Sequence, residues 1–291
     1  MRILFTIPHY FDSGADGDRR HGARSGDAAA RTAALTDCLH ALHQLYGRAQ
    51  CMMQLVRRRT QPANESLTAE LRVVICTTGD RHLLDRLPID PVLFEHQPAS
   101  AEPEMLGFEC RDVLRDRSGE YDYYCYLEDD LVLHDPWLFS KLAWFTRQAG
   151  DENLLLPNRF ERGPRPLVHK AYLDGDLAEH VAAAHQNVHE TPELRSVLMG
   201  VPLLFQRPLN PHAGCFFLSA EQMARWMGRP YFLDRDCSFI GPLESAATLG
   251  ILRTFRIYKP ARQNASFLEI EHHGTRFLSQ LRRPIAVDEE K

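Results

Sequence analysis

Three consecutive acidic residues, Glu128, Asp129 and Asp130, follow a run of aromatic and aliphatic residues in the segment YDYYCYLEDDLVLHDPWLF, residues 121–139. Ionised carboxylates are costly to hold at the edge of an apolar core unless a cation or hydrogen-bond donors face them. Hard divalent cations such as Mg²⁺ and Mn²⁺ prefer carboxylate oxygens, and they keep positions open for water and substrate phosphates. The triplet is therefore a candidate holder for a divalent cation bound to a diphosphate.

Two other interpretations of the triplet stay open. The acids could belong to a solvated loop, or they could lie at a helix N-terminus, where negative charge complements the helix dipole. However, Asp135 followed by Pro136 already predicts the cap and the first position of the next helix. The triplet stands upstream of that cap, which favours the metal interpretation.

The elements that must position the triplet form an alternating series. The patterns predict strands at residues 2–11, 70–78, 91–97 and 121–130, and helices at residues 28–47, 103–117 and from Asp135 onward. Four alternations of strand and helix are typical of a three-layer α/β sheet. Ligands in such sheets bind beyond the carboxyl ends of the strands, and the triplet lies at such an end.

The segment YLEDDLVLHDPWLF, residues 126–139, resembles the DXD region of GT-A fold glycosyltransferases. It is closest to the N-acetylglucosaminyltransferase I type, in which EDD precedes an aliphatic pair and then Pro and Phe. In that family the last acid binds Mn²⁺, and its neighbours contact the nucleotide ribose and the sugar. The resemblance therefore implies that Asp130 is a metal ligand and that Glu128 and Asp129 contact the donor.

The same resemblance implies the architecture of the chain. We expect a single GT-A domain over residues 1–291, an α/β/α sandwich with a Rossmann-like mixed central sheet. Residues 1–150 would form the half that binds the nucleotide sugar, and residues 151–291 would form the acceptor-side half.

Two further segments fit this family. The first strand and its Gly-, Asp- and Arg-rich loop occupy the place where GT-A enzymes receive the base and ribose. Candidate contacts there are Pro8, Tyr10, His21 and Arg24, although His21 and Arg24 are equally compatible with a solvated loop. The segment NPHAGCFFLSAEQMARW, residues 210–226, predicts a turn, a strand and a helix capped by Ser219. It resembles the GT-A segment that lines the donor sugar and acceptor site.

Adjacent histidines, His272 and His273, precede Gly274 in the segment EIEHHGTRFL. Neutral imidazole is a good ligand for ions like Mn²⁺, and many GT-A enzymes close the metal site with a C-terminal histidine. With 14 histidines in the chain, any one of them is more often a surface or core residue than a ligand. The resemblance implies that one of the pair binds the metal, and His273, next to the glycine, is preferred.

A transferase also needs a group that activates the acceptor. In the inverting route a carboxylate removes the hydroxyl proton, while the metal and cationic side chains stabilise the departing diphosphate. Inverting GT-A enzymes take this base from the segment after the acceptor-side strand and helix, here residues 229–252. Glu244 is the first candidate, with Asp236 and Asp234 as competitors. For Glu244, a role as an N-terminal helix acid stays equally open. The sequence carries no feature that distinguishes a retaining from an inverting reaction.

Between these segments, LLLPNRFE predicts a further strand, from which Asn158, Arg159 and Glu161 emerge near the site. The insertion that follows would shape the acceptor pocket, which differs most from one such enzyme to another. The sequence therefore does not name the acceptor.

The expected activity is transfer of a sugar from a nucleotide-diphosphate sugar, with a UDP-sugar favoured, to a hydroxyl of a carbohydrate, glycolipid or other acceptor. The expected cofactor is Mn²⁺ or Mg²⁺. One alternative is a non-catalytic module that binds a nucleotide or a divalent metal. Another is a sugar nucleotidylyltransferase, which should open with a compact Gly-rich loop ending in Arg and Lys. The absence of GxGxxG after the first strand and of GxSxG excludes a Rossmann dehydrogenase and a serine hydrolase of the nucleophile-elbow type.

Composition limits the partners and the cellular compartment that we expect for the chain. The net charge is -5, and basic residues are scattered apart from Arg57–Arg59, which we interpret as a solvated helix end, so no nucleic-acid partner is expected. No run of about 18 apolar residues predicts a membrane span, and no signal peptide is recognisable. Seven widely spaced cysteines without a CxxC pair predict reduced thiols in a cytoplasmic protein. Peripheral contact with a membrane and the oligomeric state stay open.

Overall fold

The computed structural model of the protein describes residues 1–12, 27–165 and 168–280. The helices are α1 Ala28–Tyr46, α2 Leu106–Asp116, α3 Leu138–Ala149, α4 Glu179–Ala183, α5 Ala220–Met227 and α6 Pro242–Thr254. The strands are β1 Arg2–His9, β2 Cys51–Gln54, β3 Arg59–Pro62, β4 Glu70–Thr78, β5 Glu95–Ala99, β6 Tyr123–Leu127, β7 Leu131–Val132, β8 Asn153–Leu155, β9 Asn158–Arg165, β10 Val168–Tyr172, β11 Glu193–Leu198, β12 Val201–Gln206, β13 Cys215–Ser219, β14 Arg256–Pro260 and β15 Glu269–His272.

The central sheet has five strands in the order β13-β6-β1-β4-β5. Strand β1 pairs in parallel with β4 and with β6, and β4 pairs in parallel with β5. Strand β13 runs antiparallel to β6, so the sheet is mixed. Because parallel strands end at the same edge, the carboxyl ends of β1, β4 and β6 come together where the acidic triplet begins.

Helices α1 and α3 cover one face of this sheet. Phe139 of α3 packs edge-on against Phe5 of β1 and against Tyr46 of α1, with ring centroids 6.2 and 5.0 Å apart. Tyr46 also donates a hydrogen bond from its hydroxyl to the carbonyl of Asp135. These aromatic contacts join α3 to β1 and to α1, and β1 pairs with β6, the strand that leads into the acidic triplet.

Helices α2, α5 and α6 cover the opposite face. Phe216 of β13 stacks on Tyr126 of β6, and Trp226 of α5 meets Phe216 edge-on. A Cβ on Gly107 of α2 would lie 2.8 Å from the Tyr126 hydroxyl and 2.7 Å from the side chain of Ala246 in α6, so glycine permits this close approach. The predicted three-layer α/β architecture with a mixed central sheet is confirmed.

Two four-stranded sheets, β10-β9-β15-β7 and β11-β12-β14-β8, accompany the central one. Strand β15 pairs in parallel with β9 and antiparallel with β7, which places His272 opposite Leu131. Strand β7 follows the acidic triplet directly. This pairing therefore brings the two predicted histidines to the triplet from the far end of the described chain.

Several predicted elements begin later than the sequence indicated; helix α2, expected from residue 103, begins at Leu106, and β6, expected from residue 121, begins at Tyr123. Residues Pro91–Leu93 form a 3-10 turn capped by Asp90, and the strand expected at residues 91–97 is observed at Glu95–Ala99. Helix α3 begins at Leu138, because Asp135 caps the preceding turn by accepting the backbone N–H of Trp137 at 2.8 Å.

The interpretation of Arg57–Arg59 as a helix end is wrong. Strands β2 and β3 pair antiparallel, and the arginine run lies in the turn and at the start of β3. Arg58 has φ of 47°, a left-handed conformation that suits a turn and not a helix interior. Both strands are exposed, so no buried alternation marks them in the sequence.

Candidate functional site

The acidic triplet occupies a tight turn at the carboxyl end of β6. The backbone N–H of Glu128 donates to the carbonyl of Gly214 at 3.0 Å, which continues the pairing of β6 with β13. The N–H of Leu131 donates back to the carbonyl of Glu128 at 3.2 Å and closes the turn. Asp129 and Asp130 then share Arg31 as a neighbour, whereas Glu128 faces Gly214.

Asp129 is anchored between β1 and α1. The backbone N–H of Leu83 donates to Nε2 of His9, so the Nδ1–H of that ring donates to the Asp129 carboxylate at 2.6 Å. Arg31 of α1 donates to both carboxylate oxygens of Asp129 at 2.5 Å. Burial raises the pKa of Asp129, but Arg31 and His9 outweigh this effect and lower it to about 2. Contact of Asp129 with a donor stays a prediction.

Asp130 faces a cationic side chain and an imidazole. Its Oδ2 lies 3.3 Å from Nη1 of Arg31 and 3.7 Å from Nε2 of His272. The other ring nitrogen of His272, Nδ1, donates to Glu161 at 3.0 Å. Since a carboxylate is an acceptor, this bond leaves the lone pair of Nε2 on the side of Asp130.

The donor set of Asp130 and His272 fits a divalent cation. Ligand distances near 2.0–2.2 Å allow one carboxylate oxygen and one imidazole nitrogen at 3.7 Å to share an ion. Within residues 1–12, 27–165 and 168–280, no group of three or more His, Cys, Asp or Glu side chains could hold a metal. Mg²⁺-type sites normally combine one or two protein carboxylates with water and substrate phosphates. A two-ligand site therefore fits a cation that is shared with a diphosphate.

His273 is directed elsewhere. Its Nε2 lies 3.2 Å from Oδ2 of Asp37, a largely exposed carboxylate on α1, while its backbone N–H donates to the carbonyl of Asp130 at 2.7 Å. The geometry favours His272 over His273, in contrast to the preference drawn from the sequence. Metal binding by either histidine remains a prediction.

Glu128 lies against the turn that precedes β13. Gly214 has φ of 62°, a left-handed conformation that favours glycine, and a Cβ there would lie 2.5 Å from Oε2 of Glu128, so a larger residue would displace that carboxylate. On the other side, Oε1 of Glu128 lies 3.8 Å from Nε2 of His212. Burial lowers the pKa of His212 well below its ordinary value, and the cation of Arg159 lowers it further.

Glu244 lies within electrostatic range of Glu128. Burial and the charge of Asp130 raise the pKa of Glu128 to about 8, and Glu244 contributes to this rise. Glu244 stands in the first turn of α6 and is half-buried. The structure thus brings the first candidate base towards the triplet.

Asp236 and Asp234 lie at the other end of α6. Both approach Nη1 of Arg253, Asp234 at 2.8 Å and Asp236 at 3.3 Å, and Arg253 is in the last turn of the helix. Asp236 also accepts the backbone N–H of Ser238 at 2.8 Å. Their placement gives no support to the prediction that either one is the base.

A group of buried charges includes Arg159, whose charge acts on Glu128. Asp174 accepts from Nε of Arg159 at 2.9 Å and from Nζ of Lys259 at 2.7 Å, and Lys259 also donates to the carbonyl of His212 at 2.6 Å. Although burial raises the pKa of Asp174, Lys259 and Arg159 lower it to about 2. Sequence reasoning missed Asp174 and Lys259, because only the packing of distant strands brings them together.

The predicted base and ribose pocket is only partly described. Pro8 is half-buried near the end of β1, and Tyr10 is buried with its hydroxyl 3.4 Å from Asp12. His21 and Arg24 lie outside the described residues. An open groove of about 710 Å³ runs along α1 between Asp27 and Asp37, with Arg86 across from it, and neither Pro8 nor Tyr10 lines it. Nucleotide contacts by these four residues stay predictions.

When the chain is compared with known proteins, it is similar to solved structures but matches no family model and no curated protein. The chain is similar to residues 1–349 of S. aureus TarS in complex with UDP, with a TM-score of 0.47, 9% identity, and coverage of 94% of this chain and 61% of that chain. It is also similar to GalNAc-T7 with UDP, GalNAc and Mn²⁺, with a TM-score of 0.48, 11% identity, and coverage of 94% and 43%. The chain therefore spans less than two thirds of each of these solved chains.

Proposed function

We propose that the chain is a metal-dependent glycosyltransferase of the GT-A class. One observation carries the proposal: pairing of β15 with β7 brings Nε2 of His272 to 3.7 Å from Oδ2 of Asp130 at the tip of β6. An acidic turn after a central strand and a C-terminal histidine are the two protein parts that the sequence resemblance implies for the metal site. Neither motif alone predicts that the two residues lie close together.

The charged groups around Asp130 suit a nucleoside diphosphate. Asp130 and His272 would hold Mn²⁺ or Mg²⁺, which would neutralise charge on the departing diphosphate. Arg31 adds a permanent positive charge beside the same carboxylates, and its neighbours Asp129 and Asp130 raise its pKa further. A nucleotide-diphosphate sugar, with UDP as the favoured nucleotide, is the donor that this arrangement would serve.

Glu244 would act as the base of an inverting reaction. Its carboxylate would take the proton of the acceptor hydroxyl as that oxygen attacks the anomeric carbon and the bond from this carbon to the diphosphate oxygen breaks. Glu128, which lies within electrostatic range of both Glu244 and Asp130, would contact the donor sugar. Here the acceptor is a carbohydrate, glycolipid or other hydroxyl compound.

Titration calorimetry with UDP-, GDP- and CMP-sugars, with and without Mn²⁺, tests this proposal. We expect one donor to bind only in the presence of Mn²⁺. Asp130→Ala should remove this binding with little loss of fold, and Glu244→Gln should spare binding but abolish turnover, followed as release of nucleoside diphosphate. Asp236→Asn is the matched control, because Asp236 lies away from the triplet, and it should retain both binding and turnover.

The alternative functions give different results in the same experiments. A non-catalytic metal module would bind Mn²⁺ without nucleotide dependence and would only gain thermal stability. A sugar nucleotidylyltransferase would bind a nucleoside triphosphate and release pyrophosphate. Equal loss of folding in Asp130→Ala and Glu244→Gln would contradict the separate roles assigned to these residues.

A further inference from the structure

The β2–β3 hairpin, residues 51–62, exposes a cluster of large apolar side chains. Val56 at the tip is 100% exposed, Leu55 is 76% exposed, and Met52 and Met53 are 64% and 65% exposed. Exposed apolar residues that are clustered in this way, rather than scattered, mark a binding surface.

The hairpin is also the basic part of an acidic chain. Residues 47–64 contain Arg48, Arg57, Arg58 and Arg59 and no Asp or Glu, whereas the whole chain carries a net charge of -5. Arg57, Arg58 and Arg59 form no ion pair with any residue among those that the structure describes. Their charge is therefore available to an anionic partner.

The distribution of the apolar side chains favours a bilayer over the flat face of a protein. Consecutive residues of a strand point to opposite faces, so Met52 and Met53 project from the two sides of the hairpin. Both are about equally exposed, and Leu55 and Val56 extend the apolar surface around the tip. A flat protein face could cover one side of this ribbon only. The interface of a bilayer surrounds an inserted tip on every side.

The hairpin lies at the opposite end of the central sheet from the acidic triplet. Helix α1 contacts the triplet through Arg31 near its start, and it ends at Tyr46, whose carbonyl accepts the N–H of Ala69 at the entrance to β4. At 1.5 Å per residue, the helix between Arg31 and Tyr46 spans about 22 Å. A chain docked through the hairpin would therefore hold the candidate site away from the surface that it binds.

We propose that the β2–β3 hairpin docks the protein on anionic lipid bilayers. Leu55, Val56 and the two methionines enter the interfacial region, and Arg57–Arg59 contact anionic head groups. Each arginine near an anionic surface contributes a factor of about five to partitioning, so the three together contribute on the order of 100-fold. The inference is independent of the proposed transferase activity.

Cosedimentation of the full chain with lipid vesicles tests the proposal. We expect binding to vesicles of phosphatidylcholine with phosphatidylglycerol, weak binding to phosphatidylcholine alone, and a decline with rising salt. Arg57→Gln/Arg58→Gln/Arg59→Gln should weaken partitioning on the order of 100-fold. Leu55→Ser/Val56→Ser should also release the protein from the vesicles.

A second exposed apolar hairpin supplies the matched control. Val197 and Met199 lie at the end of β11 and in its turn, are 64% and 96% exposed, and have no run of arginines beside them. Val197→Ser/Met199→Ser should bind anionic vesicles like the unmodified chain. All variants alter exposed side chains, so their melting temperatures should agree, and turnover in solution should be unchanged.

Three results would overturn the proposal. The first is failure of the unmodified chain to sediment with anionic vesicles. The second is undiminished binding by both hairpin variants. The third is a dimer, seen by sedimentation velocity without lipid, that Leu55→Ser/Val56→Ser dissociates, because a second copy would then cover the hairpin.

Discussion

Glu161 holds His272 through Nδ1, the ring nitrogen that does not face Asp130. It is fully buried, it accepts from Nδ1 of His272, and it also accepts the backbone N–H groups of Phe277 and Leu278 at 3.0 and 2.9 Å. A carboxylate in this position fixes the tautomer and the orientation of a ligating imidazole. Glu161 is therefore a positioning residue for His272.

Replacing Glu161 tests this role. We expect Glu161→Gln to weaken Mn²⁺ affinity about 10- to 100-fold, because the amide no longer holds the ring nitrogen as a charged acceptor. The measurement is titration of free Mn²⁺ by its electron paramagnetic resonance signal, with the melting temperature as a check on folding. Glu269→Gln is the control, since Glu269 is on the same strand as His272 but pairs with Lys170 and Tyr172. An equal loss in both variants would contradict the assignment.

The two neighbouring histidines make a second test at this scale. His272→Ala should abolish Mn²⁺-dependent donor binding, because its Nε2 is the nitrogen near Asp130. His273→Ala should retain that binding, because its ring meets Asp37 on α1. Calorimetric titration of the donor with Mn²⁺ distinguishes them, and retained binding in His272→Ala with loss in His273→Ala would reverse the choice of ligand.

The choice between these histidines depends on strand register, which the sequence does not specify. The triplet and the histidine pair are visible in the sequence, because their residue types suit a hard cation. Which histidine faces the triplet depends on the pairing of His272 with Leu131, and a shift of one residue would exchange the two. Likewise, His9 and Arg31 are unremarkable in the sequence and are recognised only through their contact with Asp129.

At the level of elements, periodic burial explains which predictions succeed. Strands β1 and β4 and helix α1 are observed within two residues of their predicted bounds, because each has a strongly buried face. The β2–β3 hairpin was missed because both of its strands are exposed and leave no periodic signal. Helix α3 begins late because Asp135 caps the preceding turn, and the same Asp-Pro pair would suit either structure.

Asp174 pairs with Arg159 of β9 and Lys259 of β14, and these buried ion pairs lead to a prediction about stability. The pKa of Asp174 is lowered from 3.8 to about 2, so its ionised form stabilises the folded state. That contribution is fully present above about pH 4 and is lost as the pH falls through about 2. A shift of nearly two units corresponds to about 2.5 kcal/mol. The free energy of unfolding of the unmodified protein should therefore fall over this interval.

Asp174→Asn should remove this part of the pH dependence. It should also cost about 3–5 kcal/mol at pH 7, because Lys259 and Arg159 would remain buried without their charged partner. Urea unfolding at a series of pH values measures both effects. The exposed Asp176 is the control, and Asp176→Asn should leave the curve unchanged. A cost below about 1 kcal/mol would show that water reaches the two cations and replaces the carboxylate.

At the level of the whole molecule, one hydrophobic cluster of the described residues joins the two predicted halves. Phe5 and Ile75 from residues 1–150 and Phe216, Trp226 and Ile257 from residues 151–291 belong to one cluster of buried side chains. Strand β13 of the second half pairs with β6 of the first within the central sheet. The two halves therefore share their main layer, and we expect them to unfold together, as a single domain would.

The cysteines make this expectation measurable. Cys76 lies in β4 of the first half and Cys215 in β13 of the second, both are fully buried, and Cys51 is exposed on the β2–β3 hairpin. A thiol reagent should modify Cys51 without denaturant, whereas Cys76 and Cys215 should become reactive at the same guanidinium concentration, because shared packing couples their exposure. Mass spectrometry of labelled peptides gives the midpoint for each site. If Cys215 reacted at a distinctly lower concentration than Cys76, the chain would consist of two units, with the acidic turn and the histidine that approaches it on separately folding parts.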